Sequence, residues 1–196
     1  MKIISFLILV LLLASCGNET VYTPKPRGYP KVIYPERTFQ TFDENYCNFT
    51  FEFPKYAQIQ QDKSFFSEDT GHPCWFDLVM PVFDARLHCS YYPITKTNSF
   101  EKLRDDAFEM ASKHIVKANA IDERFIQNDH GVSGFVFQFD GPTATPFSFY
   151  LSDSTEHYLR GALYFNSRPQ PDSLAPIISF VKEDLTHLIG TFKWEN

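Results

Sequence analysis

The sequence has no dense cluster of basic residues, and its charge balance is acidic. The 196 residues carry 18 Lys and Arg against 24 Asp and Glu, which gives a formal net charge of -6. The densest basic stretch is Lys25-Pro26-Arg27. Nucleic acids and anionic lipid surfaces are bound mainly through many Lys and Arg contacts, so this composition opposes both as direct ligands. We therefore expect no nucleic-acid partner.

Paired Cys-x-x-Cys motifs are also absent, and with them the usual framework of a structural zinc site. His72 stands near Cys74 and His88 adjoins Cys89. Adjacent residues of a strand point to opposite faces, so His88 and Cys89 would not share an ion. The segment 131–134, Gly-Val-Ser-Gly, lacks the second spacer residue of a nucleophile elbow and is typical of a turn. We expect no metal, no cofactor and no enzymatic activity.

No apolar run is long enough to cross a bilayer as a helix, and the run at residues 3–13 is followed by Ala14-Ser15-Cys16. With Lys2 before it, this pattern is typical of a bacterial lipoprotein signal. We predict that residues 1–15 are a cleaved signal peptide and that Cys16 carries fatty acyl chains such as palmitate, which hold the protein to a membrane. Residues 17–19 contain a single acid instead of the acidic cluster associated with surface export. A cell-envelope position facing the periplasm is therefore expected.

Residues 16–37 form a predicted tether after the lipid, because four prolines in it favour extended chain over packing. Within the tether, Arg27 and Tyr29 place a cation and an aromatic ring on a stiff backbone, which makes them candidate partner-binding residues. The alternative is that the segment lies along its own domain, with Tyr29 and Tyr34 in surface grooves. Residues 38–196 are predicted to be a single globular domain.

Most of this domain has the two-fold periodicity of strands, and its 21 Phe and 10 Tyr suit a packed, strand-rich core. Cys47, Phe49, Phe51 and Phe53, for example, alternate with polar or partly polar neighbours. The predicted strands cover residues 47–53, 57–61, 74–80, 86–92, 122–127, 132–140, 145–151 and 157–166. Short connections between several of them imply antiparallel neighbours.

Two segments have helical periodicity instead. Residues 99–117 place their apolar side chains on one face, with Asn98 as the predicted N-cap and Glu101 as its capping partner. A second helix starts near Ser173, has Pro176 in its first turn and stops at Gly190. Each helix has one apolar stripe and can cover a sheet face. We predict an α+β fold, a largely antiparallel sheet with two main helices packed on it.

Three cysteines remain in the domain, which favours one disulfide and one free thiol in an oxidising compartment. Cys74 and Cys89 lie on consecutive predicted strands and share their parity with apolar residues, so a bridge between them is the first candidate. Cys47 bridged to either of them is the alternative.

Arg160 is the polar residue that stands out among the predicted strands. It lies between Tyr158 and Ala162, with Tyr164 further along the same face. An arginine flanked by aromatic side chains is a common recognition element, so Tyr158, Arg160 and Tyr164 are candidate partner-binding residues. The alternative is a structural arginine stacked between the tyrosines under a helix, with a carboxylate as its partner.

Several motifs together resemble a known family. They are the cysteine at the end of the signal, Pro-Lys-Pro-Arg-Gly-Tyr at 24–29, Phe-Glu-Phe-Pro-Lys-Tyr at 51–56, His-Pro-Cys-Trp-Phe at 72–76, Tyr-Leu-Arg-Gly-Ala-Leu-Tyr-Phe-Asn at 158–166 and Arg-Pro-Gln-Pro-Asp-Ser-Leu-Ala-Pro at 168–176. They resemble the gliding motility lipoproteins GldD of the Bacteroidetes over nearly the whole chain. The element order is also similar to the PsbP/Mog1 sandwich, an analogy at the level of fold.

The resemblance implies an envelope lipoprotein required for gliding, in a system linked to type IX secretion. It supplies no catalytic residues. The leading hypothesis is a non-enzymatic assembly or stability component whose partners are the membrane, through the lipid on Cys16, and other envelope proteins of this machinery. The alternative is a periplasmic binding module for a small molecule or glycan, with a cleft lined by Phe and Tyr.

Overall fold

The computed structural model describes residues 31–44, 47–61, 72–167 and 171–195. These residues form two antiparallel sheets and two main helices, joined by loops and turns. The strands are β1 Phe39–Phe42, β2 Phe49–Pro54, β3 Gln58–Gln61, β4 Phe76–Met80, β5 Ala85–Pro93, β6 Ala120–Gln127, β7 Ser133–Asp140, β8 Phe147–Ser152, β9 His157–Phe165 and β10 Lys193–Trp194. The helices are α1 Phe100–Ser112 and α2 Pro171–Thr191, and short 3-10 helices cover Pro81–Phe83 and Lys113–Val116. The predicted α+β class is confirmed.

The larger sheet has seven strands in the order β3-β4-β5-β9-β8-β7-β6, and the smaller has the order β1-β2-β10. Every pair in both sheets is antiparallel. Strands β1 and β10 were not predicted. They have four and two residues, and of β1 only Phe42 is buried, so neither shows a clear alternation of buried and exposed positions.

The alternation along the strands gives the large sheet two apolar faces. On the inner face, side chains such as Leu87, Phe149 and Leu163 pack with the small sheet and with α2 in the main core. On the outer face, Phe137 and Tyr158 pack under α1 in a second, smaller core. The domain therefore has three layers, with α1 on one side of the large sheet and the small sheet with α2 on the other.

Helix α1 begins one residue later than predicted. Asn98 belongs to the preceding turn, in which its backbone N–H bonds to Thr95 Oγ1 at 3.1 Å. Ser99 is the N-cap, with extended backbone and an Oγ that accepts a bond from the Lys102 N–H at 3.3 Å. The α-helix ends at Ser112, and a 3-10 turn continues to Val116.

Helix α2 is longer at both ends than the sequence indicated. It starts at Pro171, a residue suited to a first turn, so Pro176 falls in the second turn. Gly190 lies inside the helix, which ends at Thr191. There the Thr191 Oγ1 accepts a bond from the Glu52 backbone N–H at 3.0 Å and so connects the helix end to β2.

The described end of the predicted tether packs on the domain. Val32 packs against the main core, and the Tyr34 ring lies 4.8 Å from that of Phe180. Arg37 bonds to the buried carboxylate of Asp184 at 2.7 Å. Residues 31–37 thus support the interpretation that this segment lies along its own domain, as far as the described residues reach.

The disulfide joins Cys47 to Cys74, whose Cα atoms are 5.5 Å apart, so the predicted bridge between Cys74 and Cys89 is wrong. The register pairs Cys89 with Phe76, which places Cys74 beyond the end of β4 instead of opposite Cys89. Cys47 precedes β2, so the bridge connects the two sheets. Cys89 is a buried free thiol, and the expectation of one pair and one free cysteine is confirmed for these three residues.

Candidate functional site

The predicted partner-binding face of β9 is not one continuous surface. Tyr158 is only 1% exposed, stacks on Tyr150 and donates a hydrogen bond from its hydroxyl to the Leu103 backbone oxygen at 3.0 Å. It therefore fixes α1 to the sheet and is not available to a partner, which corrects the sequence prediction. Burial raises the pKa of the Tyr158 hydroxyl.

Arg160 and Tyr164 have different surroundings from Tyr158. Arg160 is half-buried and lines a narrow gap under α1 with Met110 and His114. It forms no ion pair with a residue in the described ranges. Its position under α1 agrees with the alternative of a structural arginine, but the carboxylate partner expected in that alternative is not found among the described residues. Tyr164 is 36% exposed and is the accessible member of the three.

The other candidate residues from the sequence cannot be placed. Cys16, Arg27 and Tyr29 lie outside the described residues. No helix in the described ranges is long and apolar enough to cross a bilayer.

A polar relay on the outer face of β4 and β5 was missed by the sequence analysis. Asp77 and His88 are direct neighbours across the two strands, and Asp77 Oδ1 lies 2.7 Å from His88 Nδ1. His88 Nε2 in turn lies 3.2 Å from Ser90 Oγ. Asp77 also accepts a bond from Arg86 at 3.2 Å. The signal was the i, i+2 spacing of Arg86, His88 and Ser90, which places all three on one face of a strand.

This relay has the connectivity of a Ser-His-Asp triad but not its accessibility. Ser90 is 7% exposed, so an acyl substrate has no route to its hydroxyl in this conformation. The Asp77 carboxylate is 6% exposed and is shared between His88 and Arg86. The network thus satisfies polar groups that the fold buries.

A cavity lies between α2 and the β6–β7 edge of the large sheet. Its volume is about 500 Å³, which is in the range of small-molecule sites. The residues that line it are mostly apolar or small: Ala120, Asp122, Gln138, Phe139, Asp140, Gly141, Thr143, Ala144, Pro146, Phe165, Ser167, Leu174, Ala175, Ile178, Ser179 and Lys182. The aromatic residues in the lining are Phe139 and Phe165, and no Tyr is among them.

One end of the cavity is charged. Asp122 and Gln138 are direct neighbours across β6 and β7, and Asp140 follows two residues later on the same face. Lys182 of α2 donates a hydrogen bond from Nζ to Gln138 Oε1 at 2.9 Å. Partial burial lowers the pKa of Lys182, while Asp140 and Asp122 act in the opposite direction.

The sequence carried a signal for this site. Lys182 stands four residues after Ile178 and eight after Leu174, so it lies on the apolar stripe of the helix. A lysine in that position points toward the sheet instead of toward solvent.

Gly141 shapes the loop that follows β7. Its φ of +107° is unfavourable for other residues, and a Cβ added there would lie 2.9 Å from the Asn119 backbone N.

Exposed apolar side chains form a second candidate feature near the same edge of the sheet. Ile115 and Val116 are 64% and 88% exposed in the 3-10 turn just before β6, and Phe125 on β6 is 57% exposed. Strand β6 is the last strand of the large sheet, and most of its residues are exposed. An edge strand with exposed apolar neighbours is a recurrent surface for pairing with another chain.

Comparisons with known proteins cover most of the chain. The model of the family described as gliding motility lipoprotein GldD matches residues 19–194. Among solved structures, the chain is similar to the solution structure of cyanobacterial PsbP (CyanoP) from Synechocystis sp. PCC 6803. The two share 10% sequence identity, the match covers 88% of this chain and 99% of that chain, and the TM-score is 0.49. No curated protein matched the chain.

Proposed function

The chain belongs to the gliding motility lipoprotein GldD family and so has a role in gliding motility, and we propose that it acts there as a non-enzymatic assembly and stability component of the gliding and type IX secretion apparatus. In this proposal a lipid on Cys16 holds the protein to the membrane on its periplasmic side. The folded domain then presents the β6 edge to another envelope protein of the apparatus.

The position of the β6 edge relative to the tether is the observation that carries this proposal. The described end of the tether packs beside Phe83, at the turn between β4 and β5. In the strand order, β6 is four strands beyond β5, which corresponds to about 20 Å at the usual strand spacing. The exposed Phe125 on β6, with Ile115 and Val116 in the turn before it, thus lies four strands away from the strand that follows Phe83, and a partner could reach it there.

A paired substitution tests the docking edge. Ile115→Asp with Val116→Asp, made in the native gene, should abolish gliding while protein abundance and melting temperature stay unchanged. Both side chains are largely exposed, and such positions usually change stability by less than about 0.5 kcal/mol. The matched control is Val82→Asp, which alters an exposed apolar residue on the tether side, 55% exposed, and should glide normally.

Two results would contradict the proposal. Normal gliding of the double variant at normal abundance would show that this edge is not a docking surface. A fall in abundance or melting temperature would mean that Ile115 and Val116 act on folding.

The cavity favours a second candidate function, a binding module for a small molecule. Its volume and its mostly apolar lining with a few polar groups at one end are typical of ligand sites. The test is calorimetric: a ligand that enters the cavity should raise the melting temperature of the domain, and above its dissociation constant the rise should grow with the logarithm of the free ligand concentration.

A further inference from the structure

The cavity combines an apolar wall with charges of both signs, and this combination restricts what it can bind. Leu174 and Ile178 of α2 form much of the apolar wall, and Phe165 and Pro146 face it from the sheet side. A ligand must therefore have an apolar body of moderate size to replace water in this half.

The polar end has unused hydrogen-bonding capacity. Lys182 donates one of its three N–H groups to Gln138, so two remain for a ligand oxygen. Asp140 forms no ion pair within the described ranges, and the Asp122 carboxylate has only an exposed contact with Arg124 at 3.5 Å. Both carboxylates can accept bonds from a ligand ammonium.

The balance of charges selects among ligand types. A ligand with only a carboxylate would gain from Lys182 but would be repelled by Asp122 and Asp140. A ligand with only an ammonium group would gain from the two carboxylates but would be repelled by Lys182. A zwitterion satisfies both signs, because its two charged groups can face the two kinds of side chain.

We propose that this cavity binds a small zwitterion with an apolar body, such as a short apolar peptide with free termini, with its carboxylate at Lys182 and its ammonium at Asp122 and Asp140. The apolar side chains of the peptide pack against Leu174 and Ile178. This proposal rests on the second candidate function, the binding of a small molecule, and is independent of the docking edge at β6.

Leucyl-leucine is the test probe, titrated by calorimetry into the full mature lipoprotein in detergent micelles. It should bind and raise the melting temperature. N-acetyl-leucyl-leucine and leucyl-leucinamide, which each lack one charge, should bind at least tenfold more weakly. Lys182→Met should weaken the binding of leucyl-leucine at least tenfold, whereas Lys102→Met, an exposed lysine of α1, should have no effect.

A second variant tests the proposal independently, so that the test does not depend on whether Lys182→Met folds. Asp140→Asn alters an exposed residue and should reduce the preference for leucyl-leucine over its N-acetyl form, because only Asp122 then remains to accept bonds from the ammonium. Equal binding of the free and capped peptides would overturn the zwitterion proposal and leave the cavity as an apolar ligand site. If neither the peptides nor a small apolar probe such as hexanol changes the melting temperature, the second candidate function fails together with this proposal.

Discussion

The disulfide between Cys47 and Cys74 should contribute a large part of the stability of the domain. The two cysteines are 27 residues apart in sequence. In the chain-entropy model, closing a loop of that length lowers the conformational entropy of the unfolded chain and so raises its free energy by about 3.5 kcal/mol. For a chain of this size, that free energy corresponds to a fall of roughly 7–14 °C in melting temperature. Cys47→Ala and Cys74→Ala should therefore both produce a fall of this size.

Cys89→Ala is the matched control for these two variants. Cys89 is 1% exposed and takes no part in the bridge, so the variant loses only one buried sulfur atom, at a cost of about 1 kcal/mol. Burial, with a further contribution from Asp77, raises the pKa of the Cys89 thiol well above its usual value. A thiol reagent should therefore leave Cys89 unmodified in the folded domain and modify it after unfolding under non-reducing conditions.

The measurement is urea unfolding of the three variants and the unaltered chain under non-reducing conditions. One pattern would refute the reasoning: Cys47→Ala close to the unaltered chain, with Cys89→Ala as destabilising as Cys74→Ala. That pattern belongs to a bridge between Cys74 and Cys89. Peptide mapping without reduction gives the connectivity independently.

Two further predictions concern buried groups. Burial raises the pKa of Tyr56, whose hydroxyl bonds to Asp184, and of Tyr158. Above about pH 10 the unfolded chain ionises these tyrosines while the folded chain keeps them protonated, so the free energy of unfolding should fall as the pH rises. Urea midpoints should show a shallower alkaline fall in Tyr56→Phe, and an unchanged slope would contradict this assignment. Gly161→Ala should destabilise the domain by about 1–3 kcal/mol, because the added Cβ would lie 2.5 Å from the buried Phe149 ring. A thermal melt like that of the unaltered chain would mean that Phe149 can move aside.

Much of the fold could be predicted from local pattern. Strands β2 to β9 were located within a few residues, because burying one face of a strand requires apolar residues at every second position. Both helices were found because their apolar residues recur at helical spacing. The errors at helix ends have local causes too, since Asn98 had a competing turn partner in Thr95. Strands as short as β1 and β10 carry too few residues for a pattern.

The candidate sites depended on contacts that no local pattern contains. Lys182 and Gln138 are 44 residues apart in sequence, yet they meet in the cavity because α2 crosses the β6–β7 edge. Tyr158 has the pattern of a strand residue, and only the position of α1 above it shows that it is buried. Asp77 had no distinguishing signal in the sequence and His88 was considered only with Cys89, yet the register of β4 and β5 pairs Asp77 with His88.

The sequence by itself determined the kind of each long element and the family, because periodicity and motifs are properties of neighbouring residues. The tertiary structure decided which face each element covers, and through this it decided the partner of Cys74. It also decided the burial of Tyr158 and the meeting of Lys182 with Asp122 and Asp140. These outcomes follow from strand order, register and the packing of layers, which depend on residues far apart in the chain. A residue type limits the interactions a side chain can make, and the packed neighbours select one of them.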